Sequence, residues 1–230
     1  MSDYLVFTLT ASLAAMGDLA GHERRGSLTW PGRSAVLGLL GAAMGIPRDA
    51  DFAALDALHV AVAVFDAGQP LRDYHTVETV PTAAAKRPQS RPEALALAKG
   101  RTNTTITLRD YRMAALYGVA VWGGDLAALQ AALERPGFTL YLGRKSCPLA
   151  APVGARVVEA AGPEAALSAL HLPPWRSPAT ATVLVLDASD APDAQRLEQR
   201  HDQPTDRAKW HFSPRQVAFC DVRITPGGAV

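Results

Sequence analysis

In the segment Leu140-Tyr141-Leu142-Gly143-Arg144-Lys145-Ser146-Cys147-Pro148 a short apolar run stops at a glycine, two cations and a serine follow, and a proline closes the segment. It reads as a buried strand feeding a tight turn that fixes Arg144 and Lys145 on the surface. Fixed cations and backbone N–H groups at a strand end suit a phosphate or a carboxylate. On spacing alone, a solvated turn carrying two ordinary surface charges fits as well. The pattern is neither a Walker loop nor a dinucleotide fingerprint.

A second cluster is Arg72-Asp73-Tyr74-His75-Thr76. A histidine beside a tyrosine and cations suits a general base for attack by an RNA 2′-hydroxyl. Tyr74 and His75 equally suit stacking on unpaired bases, and a hydrogen-bonded histidine at a strand end is the plain structural alternative. From Leu71 to Tyr111 the chain is polar and carries Lys86, Arg87, Arg91, Lys99, Arg101 and Arg109, opposed by Asp73, Glu78, Glu93 and Asp110. With Arg24, Arg25 and Arg33 from other loops, these cations would form a phosphate-binding surface. Neutralising four or five phosphates of a single strand gives a log–log salt slope of roughly −3.

Other polar residues carry less. His22, His201 and His211 read as surface groups, and His59 and His171 as core-edge histidines with apolar neighbours. No metal-ligand spacing links them. Asp187 and Asp190 end a strand, where aspartate serves turns. There is no Gly-x-Ser-x-Gly elbow, and Cys147 has no nearby histidine in sequence, so hydrolase chemistry has no support. No metal and no cofactor is expected.

Composition sets the outer bounds. The chain has 230 residues, a formal net charge of +1 and two cysteines. That length fits one large domain or two small ones. Near-neutrality gives no bulk attraction for nucleic acid, so any such binding must come from local clusters. The N-terminus lacks a basic signal-peptide region, and the apolar run Ala35 to Ile46 is too short and glycine-rich to span a bilayer. A cytoplasmic protein with reduced thiols and no membrane contact is the expectation.

The elements that must position the cations follow from hydrophobic pattern. Strands are expected at Tyr4–Thr10, Leu58–Phe65, Met113–Trp122 and Phe138–Leu142, with helices at Arg33–Met44 and Asp125–Glu134. Residues 71–111 stand out as a long insertion without apolar periodicity. Strand, helix, strand, insertion, strand, helix, strand is the split β-α-β order of a ferredoxin-like fold, which RNA-recognition modules share. After Pro148 come a short helix near Pro163–Ala169, a Pro173-Pro174-Trp175 linker, a strand at Thr182–Leu186, a polar loop, and a strand at Arg215–Ile224 expected to pair with Thr182–Leu186. No internal repeat is read, and the Pro-Gly-Gly tail is expected to be mobile. The expected class is α+β: a ferredoxin-like (RRM-like) domain over 1–149 with a thumb insertion at about 77–110, and a small β-rich C-terminal domain over 150–230.

These segments together resemble the CasD family, the crRNA 5′-handle-binding subunit of type I-E CRISPR Cascade within the RAMP superfamily. Arg33-Ser34-Ala35-Val36-Leu37-Gly38-Leu39-Leu40-Gly41 is similar to the family's Lys-Ser-Gly-Val-Ile-Gly-Leu-Leu-Ala helix. Leu71-Arg72-Asp73-Tyr74-His75-Thr76 resembles Leu-Arg-Asp-Phe-His-Thr, and Thr107-Leu108-Arg109-Asp110-Tyr111 to Val121 resembles the family's Arg-x-Tyr-Leu strand entry. Leu140 to Pro148 is close to Leu-Tyr-Leu-Gly-Arg-Lys-Ser-Cys-Pro, and Phe212-Ser213-Pro214-Arg215 is similar to the C-terminal pattern. The resemblance implies a non-catalytic subunit that holds the crRNA 5′ handle and caps the backbone filament. The implied partners are crRNA, the filament subunit and the large subunit, with target DNA reached only through the complex. Arg24, Arg25, Arg33, Arg72, Tyr74, His75, Lys86, Arg87, Arg101, Arg109, Tyr111, Arg144 and Lys145 are the expected RNA contacts.

The chain departs from the family at Ala14-Ala15-Met16-Gly17, where Gln-x-Trp-Gly is usual, and at Arg33, where the family has lysine. It departs again at Arg112 to Tyr117. The alternative function is that of the type I-C relatives, which cut precursor crRNA with tyrosine, lysine and histidine. Tyr74, His75 and Lys86 would fill those roles.

Overall fold

The computed structural model describes residues 1–20, 23–207, 209 and 211–227. The expectations for His22 and for the end of the tail, Gly228 to Val230, lie outside the described residues. In chain order the elements are β1 (Ser2–Ala14), β2 (Gly17–Ala20), β3 (Arg24–Ser27), α1 (Arg33–Ala43), α2 (Ala53–Asp56), β4 (His59–Asp66) and β5 (Gln69–Thr79). Then come α3 (Arg91–Ala98), β6 (Asn103–Trp122), α4 (Leu126–Glu134), β7 (Arg156–Ala160), α5 (Pro163–Leu167), β8 (Ala181–Asp187), β9 (Arg196–Asp206) and β10 (His211–Ile224). The fold is α+β and dominated by strands.

β1, β4 and β6 run centrally and are covered on both faces, which is why β1 is apolar almost without alternation. Leu5, Phe7 and Leu9 of β1 face one way, with Tyr117, Val119 and Val121 of β6. Val36, Leu37 and Leu40 of α1 and Leu126, Leu129 and Leu133 of α4 pack on that face. Tyr4, Val6, Ala61, Ala63 and Ala120 face the other way, under Leu167 and Leu170 from α5 and the turn after it. Small residues there let the cover approach closely; a Cβ on Gly118 would lie 2.5 Å from Leu170 Cδ1. Thr10, buried within β1, donates its hydroxyl to the Ala115 carbonyl at 3.0 Å, so its burial costs little.

The strands β7–β1–β6–β4 neighbour one another in that order, all antiparallel. β8, β10 and β9 continue outward from β4, also antiparallel. Residues 150–230, expected as a smaller β-rich unit, thus add β7 at one side of the sheet and β8–β10–β9 at the other. The expected pairing of Thr182–Leu186 with Arg215–Ile224 is present as β8 against the second half of β10. The polar loop expected between them contains β9, whose residues alternate between half-buried and exposed.

One expected strand is absent. Phe138–Leu142 forms no strand, and only Tyr141 makes a bridge, to Pro148. Its backbone donors are used elsewhere: Gly137 and Phe138 N–H groups satisfy the Ala43 and Ala42 carbonyls at the end of α1, at 2.7 and 2.9 Å. Helix ends need such partners, and a segment spent on them cannot also form a ladder. The place beside β1 falls to Arg156–Ala160 instead.

The insertion is also more regular than its sequence. β5 and the first half of β6 form a two-stranded antiparallel ribbon, in unbroken register from Gln69 opposite Met113 to Thr79 opposite Asn103. Much of both ribbon faces meets solvent, so the apolar alternation that marks a half-buried strand never developed. α3 lies at its far end, opened by the N-cap Ser90, whose hydroxyl accepts from Glu93 N, while the Glu93 carboxylate accepts from Gln89 N just before the cap.

Candidate nucleic-acid interface

Strand register decides which of the expected contacts share a face. Directly opposed residues of an antiparallel pair point the same way. Leu71, Asp73 and His75 therefore share one face with Tyr111, Arg109 and Thr107, while Arg72, Tyr74 and Thr76 share the other with Asp110, Leu108 and Ile106. β3 lies parallel against β6, with Arg24 beside Leu108 and Arg25 beside Arg109. The neighbours Arg24 and Arg25 are thereby divided between the two faces.

The first face gathers Arg25, Arg109, Tyr111, Arg144, Asp73 and His75. The Arg144 guanidinium lies over the Tyr111 ring at 4.5 Å from its centroid, and Arg144 Nη2 reaches the Arg25 carbonyl at 3.5 Å. Cation–π stacking of this kind fixes a guanidinium without neutralising it. Arg109 Nε and Arg144 Nη1 are shielded from solvent and have no hydrogen-bond partner among the described residues. Arg156 Nε and Arg200 Nε, elsewhere in the fold, are in the same state, so what distinguishes this face is the gathering of three guanidinium groups on it. His75 Nε2 lies 2.6 Å from Asp73 Oδ2.

The turn that presents Arg144 is specified locally. Leu142 N donates to Cys147 O at 2.9 Å and Cys147 N donates to Arg144 O at 2.8 Å. Ala15 N donates to Leu142 O at 3.1 Å, fastening the turn to the end of β1. Cys147 is wholly buried beside Ala15 and Tyr111. The tight turn read from sequence is there, and Lys145 is exposed on it; the strand read before it is not.

The second face is closed electrostatically. Asp110 accepts from Arg72 Nε at 2.7 Å and Nη2 at 3.2 Å, and from Arg24 Nε at 3.1 Å and Nη2 at 2.9 Å. One carboxylate thus ties β3, β6 and β5 together. The Arg72 hydrogen bond, with that of Arg24, outweighs desolvation and holds the Asp110 carboxyl down at about 2. Tyr74 and Ile106 project from this face, 67% and 54% exposed.

The remaining expected contacts lie apart from these groups. Lys86, Arg87 and Arg101 are exposed beyond the paired part of the ribbon. Arg33 opens α1 and is locked in a separate cluster: its Nη2 donates to Asp56 O at 2.7 Å, and its Nη1 is 3.5 Å from Asp187 Oδ2. Arg215, from β10, donates to Asp202 at 2.7 and 3.0 Å and to Asp187 at 2.6 Å. Asp202 Oδ2 also accepts the Arg33 backbone N–H at 2.9 Å, so a strand distant in sequence caps α1. Burial pulls the Arg215 guanidinium down, but Asp202 and Asp187 reverse this and leave its pKa raised.

Sequence reading passed over Asp110 and Asp73 as mere counter-charges. The signal for both was available: Leu-Arg-Asp-Tyr occurs twice, at 71–74 and 108–111. The two copies pair antiparallel, Leu71 opposite Tyr111, Arg72 opposite Asp110, Asp73 opposite Arg109 and Tyr74 opposite Leu108.

Comparison with known proteins gives consistent matches. A family model described as CRISPR-associated protein (Cas_Cas5) matches residues 4–218. The chain is 33% identical over 185 residues to the CRISPR system Cascade subunit CasD of Escherichia coli (strain K12), which covers 73% of this chain and 76% of that protein. A solved chain described as CRISPR RNA-guided surveillance complex superposes with a TM-score of 0.70 at 24% identity, over 98% of this chain and 93% of that one. A crystal structure of a Cas protein superposes with a TM-score of 0.62 at 26% identity, over 98% of both chains. No helix among the described residues is long and apolar enough to cross a membrane.

Proposed function

The chain belongs to the CRISPR-associated Cas5 family, and from that premise we propose that it is a non-catalytic RNA-binding subunit of a type I-E Cascade. In this reading it holds the 5′ handle of crRNA and caps the backbone filament, with the filament subunit and large subunit as neighbours in the cytoplasm. Target sequence is read by guide pairing, while the protein holds RNA backbone and shape. The observation that carries this is the gathering of Arg25, Arg109 and Arg144 on one face of the ribbon, with no ion pair to any of them among the described residues. Phosphate oxygens match such donors bidentately.

The β-α-β-β-α-β order, with strands arranged β7–β1–β6–β4 and α1 and α4 on one face, supports a ferredoxin-like core. The ribbon with α3 at its end supports a thumb. Cutting by Tyr74, His75 and Lys86 is disfavoured by placement. Tyr74 and His75 alternate to opposite faces of β5, and Lys86 lies outside the ribbon's paired strands.

The test is labelled CRISPR-repeat RNA incubated with the purified chain without metal, read on a denaturing gel and by binding across a salt series. Intact RNA is expected, with a log–log salt slope that flattens by roughly 0.7 to 1 in Arg109→Ala or Arg144→Ala. A single discrete cut that disappears in His75→Ala overturns the reading, as does binding indifferent to both arginines.

A further inference from the structure

Asp73 sits directly opposite Arg109 across the ribbon. Residues so placed have Cβ atoms about 5 Å apart, and opposite charges there pair by default. On the other face the same tetrapeptide does this: Arg72 closes on Asp110 at 2.7 Å. Asp73 does not close on Arg109. Its Oδ2 lies 2.6 Å from His75 Nε2, two residues along the same strand and on the same face. Among the described residues Arg109 makes no ion pair, and its Nε is shielded without a partner. The two halves of the repeat therefore differ in one respect: only the copy at 71–74 is followed by a histidine, whereas Arg112 follows the copy at 108–111.

We propose that His75 is a positioning residue that draws Asp73 away from Arg109 and so keeps the Arg109 guanidinium free for an RNA phosphate. This rests on the RNA-binding reading of the preceding subsection. His75 itself needs no contact with RNA. Removing it releases the Asp73 carboxylate to pair across the strands, neutralising Arg109 in place. Asp73 is then a built-in competitor of the phosphate, and its deletion makes His75 dispensable.

The experiment is a two-by-two set, His75→Ala and Asp73→Ala singly and together, in the full chain. Binding of a fluorescent single-stranded RNA carrying the repeat-derived handle is measured across a salt series, with thermal unfolding as the folding check. His75→Ala is expected to weaken binding about tenfold and to flatten the salt slope by roughly 0.7, as for one lost phosphate contact. Asp73→Ala binds at least as tightly as the parent, and adding His75→Ala to it changes nothing. His75→Gln, which keeps a donor within reach of Asp73, restores most of the loss. If His75→Ala weakens binding equally in the Asp73→Ala background, His75 touches RNA directly and the proposal is overturned. Parental binding in His75→Ala overturns it as well. Arg109→Ala and Arg144→Ala separate the two levels: full binding in both sinks the RNA reading itself, full binding in Arg109→Ala alone overturns only the role given to His75, and weakened binding in Arg109→Ala leaves the RNA reading standing whatever His75 does.

Discussion

Arg72 and Asp110 face each other across β5 and β6, with Arg72 Nε donating to Asp110 Oδ1 at 2.7 Å. Arg24 joins the same carboxylate from β3, so three strands meet at one acidic group. Its carboxyl is held down at about 2 from an ordinary 3.8, first by the Arg72 hydrogen bond. A carboxyl depressed in the folded state adds stability that is complete above its unfolded pKa and is lost as pH falls through the folded one. Asp110→Asn should therefore be less stable than the parent above about pH 4. The gap should close as pH falls through about 2. Urea midpoints across that range measure it, and a pH-independent gap would refute the assignment.

Gly143 holds its turn at φ +88, and a Cβ there would lie 1.7 Å from the Ala15 carbonyl oxygen. That oxygen is backbone and cannot swing aside. Gly143→Ala combines the clash with left-handed strain of about 1–2 kcal/mol, so it should lower the unfolding temperature. It should also weaken RNA binding by displacing Arg144 from Tyr111. A variant with parental stability and binding would show that the turn does not fix the arginine.

Arg215 is 9% exposed and satisfies two carboxylates at once. Truncation leaves Asp187 and Asp202 half-buried beside only Arg33, and loss of one partner from a buried ion-pair group costs about 3 kcal/mol. Arg215→Ala should show that loss in chemical denaturation. Arg24→Ala, whose arginine is 60% exposed, should cost less than about 1 kcal/mol.

Tyr111→Leu keeps an apolar side chain against Cys147 and Ala15 but removes the ring beneath Arg144. It should cost about 1 kcal/mol and reduce RNA affinity while leaving the salt slope near the parent's, since the cation remains. A flattened slope would mean that Arg144 had left the site.

Much of the architecture was legible because it rests on local pattern. The β-rich run of β1, the small-residue helix at Arg33–Ala43 and the aspartate cap of α4 each announce themselves within a few residues. The ribbon was not legible. With both faces largely in water, nothing selects apolar alternation, and pairing of Gln69–Thr79 with Asn103–Met113 is stated only by register. The strand expected at Phe138–Leu142 failed for a related reason. Its composition suits a strand, but the Phe138 donor answers a carbonyl of a helix almost a hundred residues earlier and the Leu142 donor closes the segment's own turn.

The same division runs through the site. By itself the sequence determined the family resemblance, the glycine turn that presents Arg144 and Lys145, and the concentration of arginine around the insertion, because these are properties of residues and their immediate neighbours. Only the tertiary structure decided which arginines are available. Arg33 and Arg109 are indistinguishable as letters, yet Arg33 is bound into the cluster of Asp56, Asp187 and Asp202 while Arg109 is left without an ion pair among the described residues. Whether a charge is free depends on which opposite charge lies within about 4 Å, and for these residues that neighbour comes from another strand.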